Sequence, residues 1–506
     1  MATIESNLMN SSSKVPAAIA MRQNSGIGYP NTPPFDPHGN FPEYGFSKYV
    51  SDEANPVYEL VRLTLADMGL DGTAFGTSEW SPFRSFITPG QTVVLKPNLV
   101  LDVPNQDAVT THGSFIRPVI DYAWKALGGE GRILVCDAPQ ADADFDTVVK
   151  RNGLRATIEI LQQRGVNVSL EDIRALRVQI KNGVWIDEQD VPERRVESVI
   201  VNLGSLSAFS EIESQTYRFH GGGYGRHETF AHHQAGRHEY CVSRRILSAD
   251  TVILLPKLKT HRKAGLTCCL KNLVGINVDK NFLPHFTVGA ANRGGDEFPA
   301  VPAWRVPAVA GMRVMHDFLL GRNWRKTGRT VAGVLSAYSN LTGPKAGDSC
   351  GKADSGVATS VQKLVTGSPC RQGGWQGNET IWRMILDLNR LFLFANAEGR
   401  VCSTMQRNVF YLVDGIVAGE GNGPMNPISA QLGLVIAGRC GAEVDLAILR
   451  MAGIKPEAIP LYREALQGHN AWLRDAAATS VLFNGAPIDA ETSPRFHLHP
   501  PDGWKY

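Results

Sequence analysis

The densest chemistry in this sequence lies in the run Leu255–Asn281, LPKLKTHRKAGLTCCLKNLVGINVDKN. It sets Lys257, Lys259, His261, Lys263, Lys271 and Asn272 directly after the apolar stretch Thr251–Leu255. Lysines and backbone amides together suit a carboxylate or a phosphate, since such oxyanions accept several short, charge-assisted hydrogen bonds. The small-residue stretch Gly265–Cys269 lets backbone come close to a ligand. A histidine beside several lysines has its cationic form disfavoured, so His261 is expected to be neutral and to act as a base near pH 7. Lys271 sits among Leu270, Leu273 and Val274, a context that lowers an amine's pKa and suits a base or an imine-forming nucleophile. The plainer alternatives are a capping or hydrogen-bonding role for His261 and a structural ion pair for Lys271.

Three further groups could serve the same chemistry. Lys96-Pro97-Asn98, Thr110-Thr111-His112 and Asp137 are expected to line the same pocket, with Thr111 capping the helix that follows and aiming its N-terminus at an anion. Asp414, Glu420 and Asp445 form an acidic set, and Glu420-Gly421-Asn422-Gly423-Pro424 reads as a tight loop. Such carboxylates and loop carbonyls suit Mg²⁺ or Ca²⁺, and pairing with the lysines is their other use. Last comes a His/Gly-rich tract, His220-Gly221-Gly222-Gly223-Tyr224-Gly225-Arg226-His227, followed by His232, His233 and His238. Its spacing fits no zinc template, so it reads as a lid or substrate loop in which Arg226 meets an anion, with a transition-metal site as the alternative.

These residues need a scaffold, and the periodicity supplies one. Thr92–Lys96, Arg132–Cys136, Val196–Asn202, Thr251–Leu255, Asn408–Val413 and Leu432–Ala437 read as strands. Pro56–Met68, His112–Leu127, Phe145–Gln163, Tyr240–Leu247, Ile381–Phe394 and Glu443–Met451 read as helices. Strand, helix, strand at these lengths implies an α/β fold with a mostly parallel sheet flanked by helices. The pattern degrades after Asn281 and resumes near Gly377, as an inserted irregular or helical subdomain would make it. The expected organisation is a flexible N-terminal arm over residues 1–46 and a first core part over 47–280. An insertion follows over 281–377, then a second core part over 378–490 and a C-terminal tail over 491–506. In an open α/β sheet ligands bind past the carboxyl ends of the strands, which is where Lys96, Asp137, Lys257 and Asp414 stand.

The segments LPKLKTH and G-L-T-x-x-L-K-N-L-x-G resemble the domain-of-unknown-function family 362. So do V-V-L-K-P-N-L-V at Val93–Val100, L-V-C-D-A-P at Leu134–Pro139 and V-D-G-I-V-A-G-E-G-N-G-P at Val413–Pro424. The stretch Gly374–Arg390 is similar to the long-insert branch of that family. The family usually carries an acidic-Pro pair before its late aspartate, and here Arg439–Asp445 keeps Asp445 alone. Separately, His261-x-x-Ala264-Gly265-x-Thr267-x-x-x-Lys271 is similar in spacing to a motif of the nickel-pincer lactate racemase family. That resemblance implies an acid/base role for the histidine and cofactor attachment for the lysine. The glycines expected between Thr267 and Lys271 are Cys268 and Cys269 here.

Composition closes off other classes. The 506 residues carry 51 Lys+Arg against 49 Asp+Glu, a net charge of +2, which gives no footprint for sequence-independent nucleic-acid binding. No apolar run approaches the roughly 18 residues of a membrane span. No C-x-x-C pair occurs, the adjacent Cys268-Cys269 pair reads as buried thiols, and the scattered cysteines fit a reducing cytosol. The expectation is a cytoplasmic enzyme that acts on a small carboxylate- or phosphate-bearing molecule by His/Lys acid–base chemistry. A non-catalytic ligand or cofactor carrier is one alternative. A metal-dependent phosphoryl-transfer or ligase-type enzyme is the other, and the absence of a G-x-x-x-x-G-K-[ST] loop counts against ordinary P-loop chemistry. No organic cofactor is named by these residues, and a divalent metal is the one inorganic candidate.

Overall fold

The computed structural model describes residues 18–37, 39–46, 51, 53–181, 184–221, 226–305, 307, 370, 372–475, 480–489 and 494–506. Eleven strands form one sheet. They are β1 (Ile19–Gln23), β2 (Thr92–Pro97), β3 (Arg132–Asp137), β4 (Val168–Asp172), β5 (Thr251–Leu255), β6 (Lys257–His261) and β7 (Gly265–Thr267). The rest are β8 (Asn408–Glu420), β9 (Ile428–Gly438), β10 (Val481–Phe483) and β11 (Ala486–Ile488). Their order is β11-β10-β1-β9-β8-β5-β2-β3-β4, with β6 pairing to β7 and to the later half of β8. From β8 to β4 every neighbour is parallel; β9 runs antiparallel to both β8 and β1.

Helices cover both faces, which is why the parallel strands read as unbroken apolar runs. Val93, Leu95, Ile133, Val135, Ile253 and Phe410 face one core, packed by α1 (Pro56–Asp67) and α2 (Gly113–Ala126). Val94, Leu134, Val252, Leu254, Val413 and Ile436 face the other. That side is closed by the single turn α5 (Cys269–Asn272) and the later helices α6 (Ile381–Phe394) and α7 (Gly441–Met451), while α3 (Phe145–Arg151) and α4 (Leu154–Gln163) pack into the first core.

Four expectations change. The helix expected over Phe145–Gln163 is broken into α3 and α4 at Asn152-Gly153. Gly153 has φ +71°, and a Cβ there would stand 2.4 Å from the Phe35 ring, so only glycine fits. Tyr240–Leu247 is not a helix: Arg237–Ser243 is a strand, and only Arg244–Leu247 is helical. That strand pairs with Ser198–Asn202, so the strand expected there belongs to a separate three-stranded sheet and starts two residues late. The fourth change concerns residues 18–46, expected to be part of a flexible arm. β1 lies inside the sheet between β9 and β10, and Arg22 bridges Asp67 on α1 at 2.6 Å. Further along, Asp36 is fully buried and takes Arg117 at 2.7 Å and Arg164 at 2.6 Å. Apolar residues and a satisfied carboxylate make that segment core. Most of the insertion expected over 281–377 lies outside the described residues. The tail packs onto the turn between β6 and β7, where Trp504 Nε1 donates to Arg262 O at 3.0 Å and the Tyr506 hydroxyl to Gly265 O at 2.9 Å.

Candidate functional site

Alternation along β6 places Lys257, Lys259 and His261 on one side of the strand, all buried. Register sets Lys257 opposite Asp414 on β8, and Lys257 Nζ lies 3.3 Å from Asp414 Oδ2. Tyr29, from the N-terminal segment, completes this pair: its hydroxyl donates to Asp414 Oδ1 at 2.5 Å and accepts from Lys257 Nζ. His112 adds its backbone N–H to Asp414 Oδ2 at 3.1 Å and stacks its ring on Tyr29 with centroids 4.2 Å apart. Burial, and then Lys257, push His112 down to about 3, so its imidazole stays neutral. His112, not Thr111, caps α2, accepting from Ser114 N at 3.2 Å. Thr111 instead ties two strand ends together, donating to Leu255 O at 2.7 Å and accepting from Asn98 N at 2.9 Å.

A second ion pair stands at the ends of β2 and β3. Lys96 Nζ meets Asp137 Oδ1 at 2.8 Å, and Asp137 Oδ2 accepts from Leu99 N at 2.6 Å. Gly275 closes over it. A Cβ there would fall 2.0 Å from Asp137 Oδ1 and 2.5 Å from Lys96 Nζ, so backbone replaces side chain by necessity. Beside this pair Asn272 Nδ2 bonds Asn98 Oδ1, leaving Asn98 Nδ2 and Asn272 Oδ1 buried with no hydrogen-bond partner among the described residues. One donor and one acceptor are thus open for a ligand, whichever way the amides are turned.

Beside the two pairs lie further amines. Lys259 donates to Val109 O at 2.7 Å, and burial, Lys271 and Lys257 hold it well below the usual lysine range. Lys280 donates to Val274 O at 2.9 Å and Asn277 O at 3.0 Å, and burial brings it down to about 7. Lys271, half-buried on α5, makes no hydrogen bond or ion pair among the described residues. Burial first, then Lys263 and Lys96, bring it down to about 7. Lys263 is half-buried, with Nζ 5.7 Å from the Phe286 ring centroid.

Two histidines border these amines in opposite tautomers. His261 Nδ1 accepts from Lys263 N at 3.0 Å and Ala264 N at 3.1 Å, which assigns the neutral ring's proton to Nε2. Burial and Lys271 hold it well below the usual histidine range. The ring is therefore a hydrogen-bond donor toward the cluster, where the sequence suggested a base. His285 Nδ1 donates to Leu283 O at 2.8 Å, which leaves Nε2 as an acceptor; burial and Lys263 push it down to about 3.

The acidic set does not assemble. Asp414 is engaged by Lys257 and Tyr29, and Glu420, six positions along the same extended strand, accepts from His499 N at 3.1 Å. Asp445, on α7, takes the N–H groups of Cys269 at 2.8 Å and Leu270 at 3.1 Å and the Tyr462 hydroxyl at 3.0 Å. It holds α5 in place from behind, and with it Lys271. Strand geometry of roughly 3.3 Å per residue keeps Asp414 and Glu420 some 20 Å apart, so the three cannot share one cation. Among the described residues the one group of metal-ligand type is Cys268, Cys269 and Asp445, all buried. Its two thiol sulfurs lie 4.0 Å apart, as free cysteines, with Cys268 pushed up to about 12 by burial.

The histidine tract is held by ordinary hydrogen bonds. His232 pairs with Glu239 at 3.0 Å, His233 Nε2 with Phe282 O at 2.8 Å, and His233 Nδ1 lies 3.4 Å from His238 Nδ1. Arg226 opens the helix Arg226–His232, and its side chain lies outside the described residues, as do residues 222–225. Tyr29, Gly275, Lys280 and His285 are the contributors that sequence patterns did not single out. Two of them carried a signal: Lys280 as the last lysine of the same dense run, and Gly275 as the closing glycine of the G-L-T-x-x-L-K-N-L-x-G segment.

The family profile described as a domain of unknown function (DUF362) matches residues 93–208 and 217–450, well over half of the chain. The chain belongs to that family. Every DUF362 segment quoted above falls inside those limits, and the matched residues include Lys96, Asp137, Lys257, Lys271, Asp414 and Asp445. Tyr29 lies before them. No curated protein matches this DUF362 chain. Among solved structures, a Thermotoga maritima protein determined by a structural-genomics consortium is similar at 12% identity and a TM-score of 0.29. The alignment covers 77% of this chain and 57% of that one, so the DUF362 chain spans little more than half the length of that protein. No helix among the described residues is long and apolar enough to cross a membrane.

Proposed function

We propose that the chain is an enzyme acting on a small carboxylate- or phosphate-bearing molecule, with Lys271 as its general base and acid. The observation that carries this reading is an amine without an ion-pair partner among the described residues, set beside Lys96 and Lys263 and brought to about 7. An amine so poised exchanges a proton at neutral pH, which an ordinary surface lysine does not. Lys259, Lys263 and Lys280 would supply the positive field that draws and holds the anion. The unsatisfied amide atoms of Asn98 and Asn272 would fix its orientation. His261, through Nε2–H, would donate to an oxygen of the ligand, and His285, through Nε2, would accept from a hydroxyl. Asp414 and Asp137 would keep Lys257 and Lys96 fixed at the rim.

Thermal shifts measured with inorganic phosphate and with malonate test the binding half. Both anions should raise the melting temperature of the wild-type chain, and Lys259→Met should lose most of that rise. Proton exchange into candidate carboxylates and sugar phosphates in D₂O, followed by NMR, tests the chemical half. Exchange that persists undiminished in Lys271→Met removes Lys271 from the reaction.

A further inference from the structure

Against α6, at Trp382, Leu386, Asp387 and Arg390, lies a cleft of about 220 Å³. We propose that it is a second binding site, for a small planar carboxylate such as an aromatic acid. Its volume falls below the roughly 300–1,000 Å³ of sites for drug-sized ligands and suits a single ring with one charged group.

Arg390 supplies the charge. Its guanidinium lies 4.3 Å from the Trp472 ring centroid and makes no hydrogen bond or ion pair among the described residues. A stacked guanidinium with its donors open is the geometry that takes a carboxylate in two parallel hydrogen bonds. The nearest acid acts on it by charge but makes no ion pair with it. Asp387, one turn back on α6, accepts from Ser207 Oγ at 2.5 Å, Ala208 N at 2.7 Å and the Tyr240 hydroxyl at 2.8 Å, so its oxygens are already engaged. Glu211, at the rim, faces Arg383 at 3.8 Å. The walls are mixed: Trp382 and Leu386 on α6, Trp472 and the 47% exposed Leu206 give apolar surface, and His469 and Asn470 stand among the polar groups. The hydroxyls of Ser205 and Ser210 line the cleft and make no hydrogen bond among the described residues, so they can serve the carboxylate's remaining lone pairs.

The cleft also has a mechanical route to the lysines. From the buried side of α6, Asn389 Nδ2 donates to Leu270 O at 3.0 Å, the carbonyl just before Lys271. An occupant that shifts α6 shifts the peptide carrying Lys271.

Benzoate, benzamide and benzamidine are the probes, read by tryptophan fluorescence and by saturation-transfer NMR. Benzoate should bind saturably in the millimolar range or below. Benzamide and benzamidine should bind at least tenfold more weakly, because neither offers the guanidinium an anionic partner. Arg390→Gln should weaken benzoate at least tenfold, and Leu206→Trp, which plugs the mouth without touching the arginine, should do the same. Lys271→Met should leave benzoate binding intact. The proposal is overturned if benzoate fails to bind, if benzamide matches it, or if both cleft variants bind it as the wild type does. Loss of benzoate binding in Lys271→Met alone also overturns it, since that places the probe in the lysine cluster.

Discussion

An amine that gives up its proton near pH 7 is a different reagent from one that does so above 10, and the difference at Lys271 is made by its surroundings. Burial removes the water that would solvate the ammonium, and Lys263 and Lys96 add repulsion. Reductive ¹³C-methylation followed by NMR should therefore show two lysines, Lys271 and Lys280, titrating with midpoints near 7, one of them absent from Lys271→Met. On the true substrate that variant should lose at least about 100-fold in turnover, the usual scale of a missing general acid–base group. Gly275 belongs to the same scale. Gly275→Ala drives a methyl group into both Lys96 and Asp137, and separating a buried ion pair costs about 3–5 kcal/mol. Urea denaturation should show the unfolding free energy reduced by that amount, while an alanine at exposed, unhindered Gly72 should change little. The two tautomers of His261 and His285 are set by which backbone group each Nδ1 meets, and no spacing rule reveals that.

Single elements decide whether those residues meet. The turn α5 is one turn long and too short to be stable alone; Asp445 fixes it through two backbone N–H groups. Asp445→Ala should cost about 2 kcal/mol or more, since buried donors left unsatisfied cost about 1–3 kcal/mol each. It should also move the Lys271 midpoint upward as α5 loosens and water enters. A variant that keeps the midpoint near 7 would separate Asp445 from the cluster. Much of this scale was legible in the sequence. Strand β6 is an exception: its charges give Lys257–His261 the look of a loop after Thr251–Leu255, although Lys-Leu-Lys-Thr-His alternates as a strand does. Strands β2, β3 and β5 declare themselves as apolar runs ending in lysine, aspartate and lysine. The misses have physical reasons. In Tyr240–Leu247 a strand and a helical turn abut without a glycine or proline, and their apolar residues merge into one helix-like pattern. The assignment of Asp414, Glu420 and Asp445 to a single cation failed because strand length and helix placement are three-dimensional facts. Tyr29 was invisible because nothing near it in sequence is periodic.

At the scale of the whole molecule, the buried amines give stability an unusual dependence on pH. Lys257, Lys259, Lys271 and Lys280 all bind protons less readily folded than unfolded. From about pH 7 upward the unfolded chain holds more protons at these sites, so stability rises with pH. The rise slackens above about pH 9, where Cys136, Cys268 and Cys269, pushed upward by burial, ionise only in the unfolded chain and oppose it. The melting temperature should therefore climb between pH 7 and pH 9, and saturating phosphate should flatten that climb by stabilising the charged lysines. A profile that falls steadily across this window would contradict the lysine assignments.

The placement of β1 has a consequence in time. Ile19 pairs with Gly438 on one side and Val481 on the other. A ribosome adding about 5–20 residues per second needs on the order of 20–80 s to make the chain between the first pair. Throughout that interval β1 has no neighbour, and Tyr29 just beyond it waits more than half of it for Lys257 and nearly all of it for Asp414. The anion site therefore cannot form during most of synthesis. A nascent chain of this kind carries the apolar run Ile19–Met21 in the open for most of its elongation.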